Sequence, residues 1–292
     1  MNYASFGISV IALLPALVLC IYIYIKDRVE KEPIGLLAAL FGIGAIAFAP
    51  ALLSERLALN TFDRIFAESM TYSPEGFTSF ASVTAKISHQ ALCSFVGIAL
   101  IEEAIKWICL FVFTHKSKHF NSLFDGLIYS AFISLGFAAV ENVRYSWING
   151  WDTLLLRSVT TVPSHLFFGI FMGVCYTVWH AYHTAAIKEK ELIDAGKLSE
   201  TKFKKSKLWL TASLCLPILV HGIYSFIGSG IFGWLNKVFY IFIIILYIVC
   251  FIGINKLSKD DGSNEKTAYK WLLRKHTELD ASALHETATE GE

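Results

Sequence analysis

Seven stretches of about 20 apolar residues run through the chain, and they restrict it to one kind of fold. Each is long enough to cross ~30 Å of hydrocarbon as an α-helix. Within a bilayer the backbone N–H and C=O groups must be paired inside the protein, which a helix achieves within a single segment. The sequence therefore predicts an all-α, polytopic membrane helix bundle with about seven transmembrane helices. They are expected at residues 5–25, 34–53, 91–113, 124–147, 154–180, 208–227 and 231–254.

The composition is typical of an integral membrane protein. Of the 292 residues, 55% are hydrophobic and only 17% are charged, and the mean hydropathy is +0.53. The basic residues lie in the connections between apolar stretches and form no stripe, so we predict no nucleic-acid partner and a lipid bilayer as the surrounding medium. The six cysteines are scattered through apolar stretches without a close pair, which argues against disulfides and thiolate metal sites.

The distribution of lysine and arginine predicts the orientation in the membrane. These residues concentrate in alternate connections, and such connections are usually cytoplasmic. We therefore expect a multi-pass protein of the plasma membrane with its N-terminus outside and its C-terminus in the cytoplasm. The predicted parts are a transmembrane domain over 1–257, an external segment over 54–87 that forms a small cap or an interfacial helix, a cytoplasmic hairpin over 184–207 and a polar cytoplasmic tail over 258–292.

Four of the predicted helices carry polar side chains that are costly in hydrocarbon and commonly mark functional sites. At ~1.5 Å of rise per residue, Glu102, Glu141, His165 and His221 would lie in the outer half or near the midplane of the bilayer. Antiparallel neighbours could therefore gather them at one polar, water-accessible cavity inside helices three to six, with helices one, two and seven outside. The residues are Glu102, Glu103 and Lys106 in helix three, Glu141 and Asn142 in helix four, His165 in helix five and His221 in helix six.

The spacing within the third helix suggests that its two acids have different roles. Lys106 follows Glu102 and Glu103 by one turn and can contact either carboxylate. The two acids differ by ~100° around the helix, so one carboxylate can point toward the reacting groups while the other pairs with the lysine. A Glu–Lys pair and single intramembrane histidines can also be plain interhelical contacts. Gly169 and Gly173, below His165, would let another helix or a substrate approach closely.

Four motifs carry a resemblance to a known family. In chain order they are EEAIK at Glu102–Lys106, FAAVEN at Phe137–Asn142, SHLFFGIFMG at Ser164–Gly173 and HGIYSF at His221–Phe226. They resemble the motifs of the PrsW family of intramembrane proteases, which is related to the CAAX prenyl endopeptidase and bacteriocin-processing (Abi) superfamily. The resemblance covers about residues 95–230, with a motif-bearing core at about 91–227. Ser225 departs from the Asn or Asp expected there, and its shorter hydroxyl can still donate a hydrogen bond.

The resemblance implies an intramembrane endopeptidase that cleaves a membrane-anchored protein, such as a single-span regulator of a transcription factor. Peptide hydrolysis needs an activated water and donors for the developing oxyanion. In this reading a carboxylate of Glu102 or Glu103 activates the water, and His165 and His221 act as oxyanion donors. These four are the predicted catalytic residues, and the predicted supporting residues are Lys106, Glu141, Asn142 and Ser225.

A zinc ion could perform the same work, and the sequence leaves both mechanisms open. Two imidazoles and one or two carboxylates suit the ligand preferences of Zn²⁺. The predicted ligands are His165, His221, Glu103 and Glu141. No HExxH motif is present, and Lys106 places a fixed positive charge beside any such ion.

Two other functions use similar residues. A proton- or ion-coupled transporter also lines a polar cavity with Glu and His side chains, but it commonly shows inverted repeats, and the two halves of this sequence are not similar. A retinal-type receptor is suggested by seven helices and by Lys237 in the last one, although that lysine lies only about two turns from the helix end.

Overall fold

The computed structural model describes residues 3–28, 30–67, 80–199, 207–259, 261 and 263–276. Within these ranges the chain is helical, and its β-structure is limited to an isolated bridge between Ser122 and Ser263. The helices are α1 (Tyr3–Lys26), α2 (Ile34–Phe66), α3 (Phe80–Leu92), a π-helical segment (Cys93–Leu100), α4 (Ile101–Thr114), α5 (Asp125–Asn149), α6 (Trp151–Val159), α7 (Thr161–Asp194), α8 (Lys207–Gly228), α9 (Leu235–Lys259) and α10 (Asn264–Lys275).

The prediction of an all-α membrane bundle is confirmed. Six described helical stretches are long and apolar enough to cross a membrane. The predicted helix at 91–113 forms as well, as the π-helical segment and α4 in continuous succession after α3. The six stretches are Gly7–Lys26, Ile34–Phe66, Asp125–Asn149, Trp151–Asp194, Lys207–Gly228 and Leu235–Lys259.

Helix α5 is the centre of the bundle and is buried along most of its length. Helices α1, α2 and α7 pack directly against it. The contact with α2 depends on small residues, since a Cβ atom on Gly44 would lie 2.0 Å from the Ile133 carbonyl oxygen, and one on Gly136 would lie 2.0 Å from that of Phe41. The expectation that the first two helices lie outside the core bundle is therefore wrong.

The glycines below His165 serve helix packing. A Cβ atom on Gly173 would lie 2.3 Å from the carbonyl oxygen of Gly126 in α5. The Ser130 hydroxyl of α5 donates to the Gly169 carbonyl oxygen at 2.7 Å. The close approach predicted at this stripe is thus made by α5 and not by a substrate.

The predicted helix over 154–180 is divided at Thr160, where α6 ends and α7 begins. Pro163 lies in the first turn of α7 and has no N–H to offer the carbonyl of Val159. That carbonyl instead accepts from the Tyr247 hydroxyl of α9 at 2.5 Å. The break lets α6 take its own direction, and α6 carries Arg157 to the candidate site described below.

The connections also differ in part from expectation. Helix α2 continues to Phe66, so the first part of the predicted external segment is helical, while residues 68–79 lie outside the described residues. Helix α7 runs on to Asp194 into the predicted hairpin, whose residues 200–206 are also outside the described part. In the tail, α10 packs on this extension of α7, and His276 Nε2 lies 2.7 Å from Glu189 Oε1.

Candidate active site

Lys106 lies between the two acids of α4 and contacts both. Its Nζ is 3.0 Å from Glu102 Oε2 and 2.8 Å from Glu103 Oε1. The lysine is completely buried, with Nζ 4.2 Å from the centroid of the Phe137 ring. A buried cation of this kind needs paired anions, and the i, i+3 and i, i+4 spacings supply them within one helix.

The two acids face different surroundings. Glu103 is fully enclosed: its Oε1 is also 2.8 Å from His221 Nδ1, and its Oε2 is buried without a hydrogen-bond partner. Glu102 lines a polar cavity. The ~100° between consecutive helical positions therefore separates a cavity-facing carboxylate from an interior one.

His165 on α7 connects the acid pair to α5. Its Nδ1 is 3.0 Å from Lys106 Nζ, and its Nε2 is 2.9 Å from Glu141 Oε2. Because a lysine ammonium group only donates, Nδ1 accepts and the proton of the neutral ring resides on Nε2, which donates to Glu141. Both ring nitrogens are therefore engaged, and the tautomer follows from the partners.

His221 on α8 completes the cluster. Its ring stacks on Phe168 at 4.5 Å between centroids and meets the His165 ring edge-on at 5.4 Å. A carboxylate only accepts, so in neutral His221 the proton lies on Nδ1, facing Glu103, and Nε2 keeps its lone pair. Direct contacts thus connect six of the predicted residues, from four separate helices, into one cluster: Glu102, Glu103, Lys106, Glu141, His165 and His221.

A cavity of about 340 Å³ adjoins this cluster. Among the predicted residues it is lined by Glu102, Glu141, His165, His221 and Ser225. Its wall also includes polar residues that the sequence reasoning missed, namely Glu55, Gln90, Tyr145, Arg157, Thr161 and Tyr224.

Two of the missed residues are charged. Arg157 Nη2 lies 2.9 Å from Glu141 Oε2. Glu55 of α2 has its Oε1 buried without a hydrogen-bond partner. Both lie near the ends of predicted helices, where a charged residue is common. Their positions in the sequence therefore did not mark them as site residues, and α2 reaches Glu55 only because it continues past residue 53.

Asn142 lies apart from the cluster. It is fully buried, and its Nδ2 donates to the carbonyl oxygen of Ala12 in α1 at 2.9 Å. The neighbouring Glu141 points to His165, and one helical step turns Asn142 toward α1 instead. This placement gives Asn142 a role in joining α1 to α5.

Three clustered side chains could together hold a metal ion, and this set differs from the predicted ligands. Among the described residues, Glu102, Glu103 and His221 offer ligand atoms that all lie within 4.8 Å of one another. His165 and Glu141 are not part of this group; they contact each other, and they also contact Lys106 and Arg157, respectively. Two carboxylates and an imidazole fit a divalent ion such as Zn²⁺, and the unpartnered Glu103 Oε2 offers a free ligand position.

The π-helical segment leads directly into the acid pair. It covers Cys93–Leu100, and its Ile98 lines the cavity. π-Helical turns are rare and occur often at functional sites, because the wider turn shifts the direction of the following side chains. The segment is uniformly apolar in sequence, which predicts a helix without distinguishing its type.

Comparisons with known proteins show the family to which the chain is similar. The model of a family described as "PrsW family intramembrane metalloprotease" matches residues 32–254. The chain is 31% identical to the protein named Protease PrsW of Oceanobacillus iheyensis over 84% of its own length and 94% of the relative's. It is 29% identical to the protein of that name in Clostridioides difficile, over 91% and 96% of the two chains. No solved structure matches the chain significantly.

Proposed function

The chain belongs to the PrsW family of intramembrane metalloproteases, and on that premise we propose that it hydrolyses a peptide bond of a membrane-anchored protein at the cavity beside Glu102. The observation that carries the proposal is the acid pair bridged by buried Lys106, with one acid facing a polar cavity inside an apolar bundle. Burying such a charged cluster within a membrane is energetically costly, so its presence commonly marks a functional site.

We assign activation of the water to Glu102. A general base must reach the proton that it removes, and Glu102 lines the cavity where a water can lie. Glu103 is enclosed and holds both Lys106 and His221 through Oε1. Its proposed role is to orient these two side chains, so that both acids are required for different reasons.

His165 and Ser225 have distinct proposed roles. His165 fixes the positions of Lys106 and Glu141 relative to each other, since each of its ring nitrogens bonds one of them. The oxyanion that forms on the scissile carbonyl needs donors on the cavity wall. The Ser225 hydroxyl lies on that wall, one turn after His221, and can supply one.

A metal ion would be held by Glu102, Glu103 and His221. A zinc ion bound there supplies Lewis-acid polarisation of the carbonyl and lowers the pKa of a bound water. Lys106 contacts both carboxylates and limits the negative charge that they present.

The substrate class that we propose is a single-span membrane protein cleaved in or next to its membrane segment. The cavity adjoins buried residues of α4, α5, α7 and α8 inside a bundle of membrane helices, which supports a substrate that is itself held in the bilayer. A single-span regulator of transcription is one such protein.

The test uses the full-length protein in proteoliposomes with a reporter library. Each reporter has one Leu/Ala membrane helix followed by a randomised segment between two tags. Glu102→Gln, Glu103→Gln, His165→Ala and His221→Ala are each expected to lower cleavage of a selected reporter by at least about 100-fold. His89→Ala is the matched control, because His89 pairs with Asp63 and does not line the cavity. Full activity in both acid variants would contradict the proposal.

A further inference from the structure

Arg157 lines the cavity, and the protein does not supply hydrogen-bond acceptors for all of its donors. Its side chain is 15% exposed, and both Nε and Nη2 are buried without a hydrogen-bond acceptor. The contact of Nη2 with Glu141 Oε2 at 2.9 Å brings the charges together without the geometry of a hydrogen bond. A guanidinium group carries five N–H donors and stays charged. Leaving such donors buried and unpaired is costly, so the site is built for an acceptor that is not part of the chain.

The guanidinium group is held in place before any ligand arrives. Its Cζ lies 4.2 Å from the centroid of the Tyr145 ring, and Glu141 holds it from α5. Stacking on an aromatic ring and pairing with a carboxylate restrict the fork to one orientation. The guanidinium group is therefore held in one orientation on the wall that also carries His165.

The substrate supplies the fitting acceptor. A peptide bond can be hydrolysed only after its segment leaves the helical state, and the carbonyl oxygens then lose their intrahelical partners. Inside the bundle Glu141 is engaged by His165 and cannot serve as the partner of all the Arg157 donors. A main-chain carbonyl oxygen of an extended peptide is a hydrogen-bond acceptor that a guanidinium fork can bind.

We propose that Arg157 is a substrate-binding residue whose guanidinium group donates to a main-chain carbonyl oxygen of the extended segment in the cavity. The inference rests on the proposed protease function and specifies how that site holds its substrate. Because the bond forms on binding, Arg157 contributes chiefly to affinity, whereas Glu102 contributes to the chemical step.

The test compares kinetics of a reporter that the wild type cleaves. Arg157→Gln is expected to raise KM by about tenfold or more, the effect of losing a charge-assisted hydrogen bond, with a much smaller change in kcat. Arg157→Lys should recover part of the loss. Arg144→Gln is the matched control, because Arg144 also contacts the Tyr145 ring, at 5.2 Å, but does not line the cavity.

A binding measurement separates this inference from the proposed function. In the inactive Glu102→Gln background, adding Arg157→Gln should weaken binding of the reporter by the same factor. Unchanged binding, or a fall in kcat at constant KM, would overturn the inference and leave the assignment of Glu102 intact. Reporters whose acidic residues are replaced by amides complete the test. Loss of the Arg157 effect with these reporters would identify an acidic side chain as the acceptor and overturn the carbonyl assignment.

Discussion

Lys106 Nζ lies 3.0 Å from Nδ1 of His165, so the lysine of α4 joins the acid pair to α7. Its other two contacts are the carboxylates of Glu102 and Glu103. An ammonium group has three N–H donors, and here each has one acceptor. The lysine therefore sets the relative positions of three of the predicted catalytic side chains.

Replacing Lys106 should destabilise the protein strongly. Lys106→Met leaves two carboxylates with little charge compensation, and breaking a buried ion pair in this way costs about 3–5 kcal/mol. A clear fall in the midpoint of thermal unfolding, followed in detergent by fluorescence-detected size exclusion, is the expected result. The exposed Lys118→Met is the control. An unchanged midpoint for Lys106→Met would mean that the ion pairs do not form.

Gly44 and Gly42 provide a matched pair for the α2–α5 contact. A Cβ atom on Gly44 would lie 2.0 Å from the Ile133 carbonyl oxygen, whereas one on Gly42 would meet nothing within 4 Å. Gly44→Ala should therefore force the helices apart and cost at least about 1–3 kcal/mol. Gly42→Ala should be neutral or slightly stabilising, since it only removes backbone freedom. Equal unfolding midpoints for the two variants would contradict this packing.

Zinc binding should depend on the group of Glu102, Glu103 and His221. Protein purified without chelator is expected to carry about one zinc per chain by elemental analysis, the stoichiometry of a single catalytic site. Glu103→Gln and His221→Ala should each lower the zinc content, because each removes a ligand. His89→Ala should retain it. Absence of zinc from active wild-type protein would favour hydrolysis by Glu102 and water alone.

Stability should decline as pH rises, because of Glu32 between α1 and α2. Burial, together with nearby Asp125 and Asp27, raises the pKa of Glu32 to about 8. The folded state then holds this proton more tightly than the unfolded state does, so the stability contribution is present at low pH and is lost as pH rises toward that pKa. The unfolding midpoint of the wild type should fall as pH rises from about 5 to about 8 and then level off. Glu32→Gln should reduce that fall, while Glu30→Gln, at an exposed position, should not.

The orientation of the chain can be tested by cysteine labelling. In a cysteine-free background, Lys197→Cys should react with a membrane-impermeant maleimide only after the cells are opened, because that connection is rich in lysine. Ser229→Cys, in the connection between α8 and α9, should react in intact cells. Both positions are exposed in the structure. The reverse pattern would invert the predicted topology.

The sequence by itself determined the fold class and the chemical parts of the site. Apolar length alone predicts membrane helices, because the thickness of hydrocarbon sets their number of residues. The contact of Lys106 with Glu102 and Glu103 follows from spacing within one helix, where geometry is local. The cost of polar groups in hydrocarbon singled out His165 and His221 before any packing was known.

Only the tertiary structure decided which side chains face the cavity. Asn142 turns to α1, Arg157 enters the wall from the separate helix α6, and Glu55 enters it from the part of α2 beyond its predicted end at residue 53. These outcomes depend on the rotation and crossing of whole helices, and those are set by close contacts such as the one at Gly44. Such contacts join residues far apart in the chain, so no local pattern of apolar and polar residues encodes them.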